Sequence, residues 1–404
     1  MNFKNSKTRQ MKKNRIISFI SAKGGSGKTI ISISIGKFLS ELGFKVLIID
    51  ADFATNGMSL FYLDKISQAS KSNERNLRGL FDKPFLYDEK NHLKVSDNLF
   101  LFPATYLFDN YIEFNSGEFA DRIKKFIDFV KSSDLYDFII FDNQAGSEGH
   151  TKVIIDKEIS DDVLIVSEYD PMSAAGIERL KAIFRDQLTY DRTWVILNKV
   201  LPDLIDEKSS FLEISKYLPP IIWNSEVVKS YSRKEVPLDF KYGNLFTLSI
   251  IKVIDKLITT EEKELLQEYL KEKESIIKKP IYDEYSKVQE RLIIYEKKKK
   301  NTSVFKSAKF ISRFLVLLSM IFVTIAILSN YFGIAVFKSL DLNIGFELVP
   351  IFLTIIVLVV QISRYSISSD SESVSDFERG ILKDRLKTLS IQRDLSIKEL
   401  LKGD

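Results

Sequence analysis

Lys23-Gly24-Gly25-Ser26-Gly27-Lys28-Thr29 is the stretch on which the reading of this chain turns. It follows an apolar run, Ile16-Ile17-Ser18-Phe19-Ile20, and opens an amphipathic stretch carrying Ile31, Ile35, Phe38, Leu39 and Leu42. Strand, glycine-rich loop and helix form the context in which successive backbone N–H groups curl around phosphate oxygens. The helix N-terminus adds a favourable potential for an anion. In such a cradle Lys28 reaches the terminal phosphates and Thr29 offers its hydroxyl to Mg2+.

Downstream segments alternate in the rhythm of an α/β fold. Lys45-Val46-Leu47-Ile48-Ile49 reads as a buried strand after a helix stop at Gly43, and it ends in Asp50-Ala51-Asp52. Carboxylates at the tip of a parallel strand lie where open α/β sheets bind ligands, although two acids alone would equally suit a solvated turn. Tyr136-Asp137-Phe138-Ile139-Ile140-Phe141-Asp142 is a second strand ending in an acid, suited to holding Mg2+ through water. Val163–Val166 and Trp194–Leu197 are further strands, the latter followed by Asn198-Lys199. Asp170-Pro171 opens a helix with Ile177, Leu180 and Phe184 on one face. The expected fold class is α/β: a doubly wound, mostly parallel sheet of the P-loop NTPase type.

Lys23 is the unusual member of the loop, because an ordinary phosphate cradle does not need a lysine at its first position. The run resembles the deviant Walker A of the MinD/ParA family, whose pattern is K-G-G-x-G-K-T. The resemblance covers about residues 15–258, and includes Asp142-Asn143-Gln144-Ala145-Gly146, similar to the family's D-x-x-A-G switch, and the stretch Pro220–Val228. Asn143-Gln144 departs from the family's usual Ser/Thr-Pro at those places. The resemblance implies ATP and Mg2+ as cofactors. It assigns nucleotide contacts to Gly24, Gly25, Ser26, Gly27, Lys28, Thr29 and Ile30, adenine reading to Asn198, and metal support to Thr29, Asp50 and Asp142. It makes Lys23, Lys28 and Asp52 the catalytic set, with Asp52 positioning the attacking water and Lys23 reaching the phosphates of a second copy. It implies a homodimer in the ATP state and slow hydrolysis stimulated by a protein partner that the sequence does not name.

A length of 404 residues holds one such domain and more. A net charge of +4 does not indicate nucleic acid as a partner. Residues 1–14 form a basic tail, either a solubilising segment or a contact with anionic lipid or DNA. The absence of cysteine excludes disulfides and thiolate metal sites. His92 and His150 have no metal-ligand spacing, and His150 reads as a solvated loop residue.

The C-terminal third changes character. Residues 259–310 read as a charged helical linker, broken at Pro280. Phe314–Phe337 carries no charged residue and as a helix covers roughly 36 Å, enough for a bilayer core. Leu348–Ile362 is a shorter apolar run of roughly 22 Å. Residues 311–365 are therefore expected to form two transmembrane helices, integral to the membrane. The lysines and arginine before the first of them, Lys297–Lys300, Lys306, Lys309 and Arg313, place the ATPase on the cytoplasmic side of a bacterial inner membrane. Residues 366–404 complete the chain as a cytosolic helical tail with Phe377, Ile381, Leu382, Leu386 and Leu389 along one side. The expected function is a membrane-anchored, ATP-dependent dimerisation switch that positions, recruits or regulates a partner complex. Two alternatives stay open at this point: an ATPase sensor driving a two-span membrane effector similar to SLATT modules, and a protein-tyrosine kinase of the capsule-regulator type.

Overall fold

The computed structural model of the chain describes residues 14–69, 77, 92–104, 116–201, 216–240, 244–331, 376–397 and 399. Two compact units are present, Met1–Pro280 together with Ser396–Asp404, and Ile281–Leu395.

The first unit begins β1 (Arg15–Ile20), α1 (Lys28–Glu41), β2 (Val46–Ala51), α2 (Gly57–Phe61) and α3 (Leu63–Ala69). It continues β3 (Leu93–Ser96), β4 (Leu99–Phe102), α4 (Ser116–Ser133), β5 (Phe138–Asn143), α5 (Gly149–Ile154), β6 (Asp162–Glu168) and α6 (Pro171–Ile183). β7 (Thr193–Asn198), β8 (Lys216–Tyr217), α7 (Ser225–Ser232), α8 (Leu245–Leu257) and α9 (Thr260–Glu272) complete it. The strands form one sheet in the order β3-β4-β2-β5-β1-β6-β7-β8, parallel throughout except for the β3–β4 pair. The strands expected from the apolar runs thus form within a residue or two of their expected ends. The last expected strand does not: around Pro220 there is a single bridge, Val200 to Ile222, and the short β8 lies earlier.

Burial on both faces explains the continuous apolar runs of β1, β2 and β5. α1 lies directly on the sheet. A Cβ at Gly36 would stand 2.8 Å from Ile48 Cγ2, so only glycine lets the helix approach this closely. β1 sits between β5 and β6, where the order of connection reverses, and its C-terminal end is the place at which such sheets bind ligands. Asp170 caps α6 by accepting from the Ser173 N–H at 3.0 Å, with Pro171 at the first helical position. The core continues past residue 258, because Leu266 and Leu270 of α9 join the cluster that contains Ile31, Phe38 and Ile48.

α10 (Glu274–Tyr331) follows α9 after Lys273 and contains Pro280. The expected break at Pro280 is therefore displaced to Lys273. Proline removes a bond to the carbonyl of Ile276, but buried Ile277 and Ile281 anchor the helix on both sides of it. In the second unit α11 (Asp376–Asp394) pairs with α10 in the opposite direction. Arg385 bridges Glu284 at 2.7 Å, Arg379 bridges Glu296 at 3.5 Å, and the Arg393 guanidinium lies 5.0 Å from the Tyr285 ring centre. Leu389 is buried and Leu382 and Leu386 are half-buried, whereas Ile381, expected on the same side, faces out at 52% exposure. Among the described residues no helix is long and apolar enough to cross a membrane. The expected two-span anchor is not found there: α10 ends at Tyr331, and Leu348–Ile362 lies outside the described residues.

His92, at the head of β3, is bonded through Nδ1 to the Tyr136 hydroxyl, with the Phe102 ring 5.5 Å away. Burial pushes its pKa down to about 3. The folded state holds it neutral while the unfolded chain protonates it below about pH 6.5, so stability falls as pH drops through that value. Between pH 7 and pH 5 the expected loss is about 2 kcal/mol. The urea midpoint of wild type should fall over this range by more than that of His92→Gln; equal falls would show that His92 is not the buried group responsible.

Candidate functional site

The loop from Ala22 to Gly27 joins β1 to α1 at the reversal point of the sheet. Gly27 takes a φ of 87°, and a Cβ there would stand 2.2 Å from the Asn198 side-chain nitrogen, so another residue would be strained and would push the Asn198 amide aside. Asn198 donates from Nδ2 to the Ser26 carbonyl at 2.7 Å, and Lys199 donates to the Gly25 carbonyl at 2.7 Å. The tip of β7 therefore props the loop from behind. Asn198, assigned to adenine reading by resemblance, is occupied here as a brace of the loop. Gly24 leaves open space where a side chain would project, Ser26 is buried, and Ile30 packs into the core behind the loop.

Lys28 is the first residue of α1, and its ammonium lies 2.7 Å from Asp142 Oδ1, with both side chains almost wholly buried. Asp142 Oδ2 is buried and has no hydrogen-bond partner. Asp50 stands beside Asp142, its register partner across β2 and β5. It accepts from the Ser59 N–H and hydroxyl at 2.7 Å each, and from the Asp52 N–H at 3.1 Å. Burial, and after it the charge of Asp142, pushes the Asp50 pKa up to about 7. Two buried carboxylates side by side, one with an unsatisfied oxygen, call for more positive charge than Lys28 alone provides.

That donor set fits a hard cation. Thr29, on the second residue of α1, faces the chain after Asp52: a Cβ on Gly57 would stand 3.4 Å from the Thr29 hydroxyl. Among the described residues no cluster of three or more acidic or histidine side chains forms a cage. Mg2+ takes one or two carboxylates and finds its remaining ligands in water and phosphate oxygens, so the Asp50–Asp142 pair suffices for it. Thr29, Asp50 and Asp142 would hold it. Asp52, also buried, accepts from the Thr55 N–H at 2.9 Å and so shapes the loop that carries it.

Lys23 does not point into the buried pocket. It bridges Glu168 at 2.8 Å and Asp170 at 3.3 Å while remaining 43% exposed. The hydrogen bond that Lys23 donates to Glu168, and after it the one to Asp170, raises its pKa. Glu168 also accepts from Lys199, and its own pKa is lowered, first by Lys199 and then by Lys23. Asp170 is lowered to about 2, chiefly by the Ser173 hydroxyl and N–H. The residues expected to form the catalytic set are thus split, Lys23 at a rim and Lys28 and Asp52 on a buried floor.

Several residues of this region were not singled out from sequence. Glu168 ends β6 as Asp50 ends the core of β2, so the strand-tip rule that found one applies to the other. Ser59 and Tyr231 had no such signal. Tyr231 of α7 lies against Phe61 with ring centres 5.7 Å apart, and burial, then the charges of Asp142 and Asp50, raises its pKa. His150, expected to be solvated, packs its ring 5.3 Å from Phe53 and 6.0 Å from Phe119, and burial lowers its pKa. Asn143, where the resembled family usually has Ser or Thr, donates to the Phe19 carbonyl at 3.0 Å, tying the start of the switch stretch to β1. Gly146 N–H adds a second tie, to the Ser21 carbonyl at 2.8 Å.

Comparison with known proteins agrees with this geometry. The AAA domain family model matches residues 14–192. An uncharacterized ATP-binding protein of Methanocaldococcus jannaschii is 25% identical over 277 residues, 65% of this chain and 97% of that protein. The septum site-determining protein MinD of a Synechocystis species is 25% identical over 193 residues, 48% of this chain and 67% of its own. A solved MinC:MinD cell division protein complex from Aquifex aeolicus is 23% identical, covering 60% of this chain and 95% of that one with a TM-score of 0.48. Residues 14–192 thus resemble the AAA domain family, and the chain is similar in sequence to MinD and ParA family proteins.

Proposed function

We infer that this chain is an ATP-driven dimerisation switch that positions or recruits a partner complex, and that its C-terminal apolar segments fix it to a membrane. The observation that carries the switch is the buried Lys28–Asp142 pair with its unpaired carboxylate oxygen beside Asp50. A magnesium-bound triphosphate would supply the scissile bond and the cation that the paired carboxylates call for. The chain's own residues do the rest. Loop N–H groups from Gly24 to Thr29 cradle phosphate oxygens. Lys28 exchanges Asp142 for a phosphate, which frees the carboxylate for the metal shell. Asp52 orients a water and accepts a proton from it. Asn143 and Gly146, tied to β1, let the switch stretch register whether the terminal phosphate is in place.

Lys23 gives the nucleotide state its consequence. Its two carboxylate partners are at the solvent-facing rim, where ion pairs are screened and readily exchanged. An ammonium released from Glu168 and Asp170 can be offered to the polyphosphate of a second copy, making association depend on the nucleotide held. The positioning role is supported by the Synechocystis relative, a septum site-determining protein.

Membrane attachment rests on α10. Beyond Arg313 this helix presents Phe314, Leu315, Leu317, Leu318, Met320 and Ile321 to the outside, each at least half exposed. These positions spread over more than half of the helix circumference, wider than the stripe that one neighbouring helix buries. Acyl chains can bury them all, and the preceding lysines suit anionic headgroups. The ATPase domain then faces the cytoplasm of a bacterial inner membrane.

Lys28→Ala should abolish measurable ATP·Mg2+ binding by the full chain in calorimetry, and unchanged affinity would refute the cradle. Lys23→Ala should bind ATP within a few-fold of wild type yet stay monomeric with a non-hydrolysable ATP analogue; a dimer of wild-type stability would remove Lys23 from the switch. Membranes washed at alkaline pH should retain the chain, and its release would contradict attachment through the apolar segments.

A further inference from the structure

Three aromatic rings from three parts of the chain meet beside the turn that carries Asp52. His150 is the second residue of α5, directly after the switch stretch. Its ring stands edge-on to Phe53 at 5.3 Å and to Phe119 of α4 at 6.0 Å, and Phe53 and Phe119 close the triangle at 6.1 Å. Phe119 is wholly buried, fixed among Ile123, Phe126 and Ile154. Rings packed edge to face at such spacings favour one mutual orientation over others.

Phe53 follows Asp52 and is the one large apolar side chain between it and the start of α2 at Gly57. Ala54 and Thr55 are exposed, whereas Phe53 packs against the buried cluster. The turn is closed on itself by the Thr55 N–H, which donates to the Asp52 carboxylate at 2.9 Å, and by the Asn56 N–H, which donates to the Asp52 carbonyl at 2.8 Å. These bonds give the turn its shape, and Phe53 seats it on the domain. His150 contributes to that seat by its form. Its Nε2 is buried and makes no hydrogen bond. Burial lowers its pKa against the opposing pull of Glu148 and then Asp52, so the ring is neutral at about pH 7 and can lie between two phenyl groups.

We propose that His150 is a positioning residue for hydrolysis: it wedges Phe53 against Phe119 and so fixes where Asp52 stands relative to the switch stretch. The inference rests on the reading of Asp52 as the group that orients the attacking water, and it adds what holds Asp52 in place. A misplacement of about 1 Å at such a group costs up to about a hundredfold in rate. The phosphate loop and Lys28 belong to the segment between β1 and α1, whereas the three rings belong to the turn after β2, to α4 and to α5. The wedge therefore governs turnover and leaves the grip on nucleotide to other residues.

The test uses the full chain, with phosphate release measured across ATP concentrations. Calorimetric binding of a non-hydrolysable ATP analogue and a thermal melt are run on the same preparations. His150→Ala should lower kcat about tenfold or more while KM and analogue affinity stay within about threefold of the parent. Phe53→Leu, which thins the contact from the other side, should show the same split of kcat from KM. His150→Phe restores a ring without its nitrogens and should recover kcat to within about threefold, as expected of a wedge that makes no hydrogen bond through Nε2. A parent-like kcat in His150→Ala or Phe53→Leu would overturn the inference and leave the ATPase reading standing. So would a His150→Phe as slow as His150→Ala, or a kcat, affinity and melting temperature that fall together in both His150→Ala and Phe53→Leu. A parent chain that releases no phosphate would overturn both the inference and the reading beneath it.

Discussion

A buried lysine beside two buried carboxylates is the constraint around which this molecule is organised. Neither Lys28, Asp142 nor Asp50 could be placed in an apolar interior alone, because each charge needs a partner once water is gone. Lys28 satisfies one oxygen of Asp142, Ser59 and the Asp52 N–H satisfy Asp50, and one carboxylate oxygen is left over. Removing one partner of such a pair typically costs about 3–5 kcal/mol, far more than a surface bridge contributes. The sheet must therefore deliver β1, β2 and β5 side by side, and the observed order does so. The site exists only when strands far apart in sequence have paired, so its assembly and the folding of the domain are one event.

The charges at the rim obey different arithmetic. Lys23, Lys199, Glu168 and Asp170 are largely solvated, and two cations share Glu168. Screening leaves such bridges weak and exchangeable. The same sequence motif thus contains two lysines with opposite physical properties. Lys28 is immobilised by burial and suited to holding a phosphate in one place. Lys23 is loosely tethered and suited to changing partners. Their five-residue separation, across a loop held by Asn198 and Lys199, is what allows one motif to serve binding and signalling together.

What could be read in advance followed local physics. The apolar runs of β1, β2, β5, β6 and β7, the loop glycines, and the Asp170-Pro171 helix start are set by neighbouring residues, and the structure has them where the sequence puts them. Asp50 and Asp142 were found by their position at strand tips, a topological rule. The misses came where tertiary contacts decided. Pro280 sits inside a helix because Ile277 and Ile281 pin it, and His150 is half-buried because Phe53 and Phe119 approach from other elements. Ser59 and Tyr231 carried no signal, since a serine or tyrosine gains meaning here only from a carboxylate or ring brought in by another strand or helix.

The position of α1 explains why the extra C-terminal chain begins where it does. A helix packed against the sheet through Gly36 cannot tilt freely, because Ile48 lies within 2.8 Å of any added Cβ. In a P-loop domain lacking any further segment the C-terminal turn of α1 would face water. Here Tyr269 and Phe240 cover it, and Leu266, Leu270 and Ile277 extend the core around it. Chain added at this point gains apolar burial that stabilises its attachment to the domain.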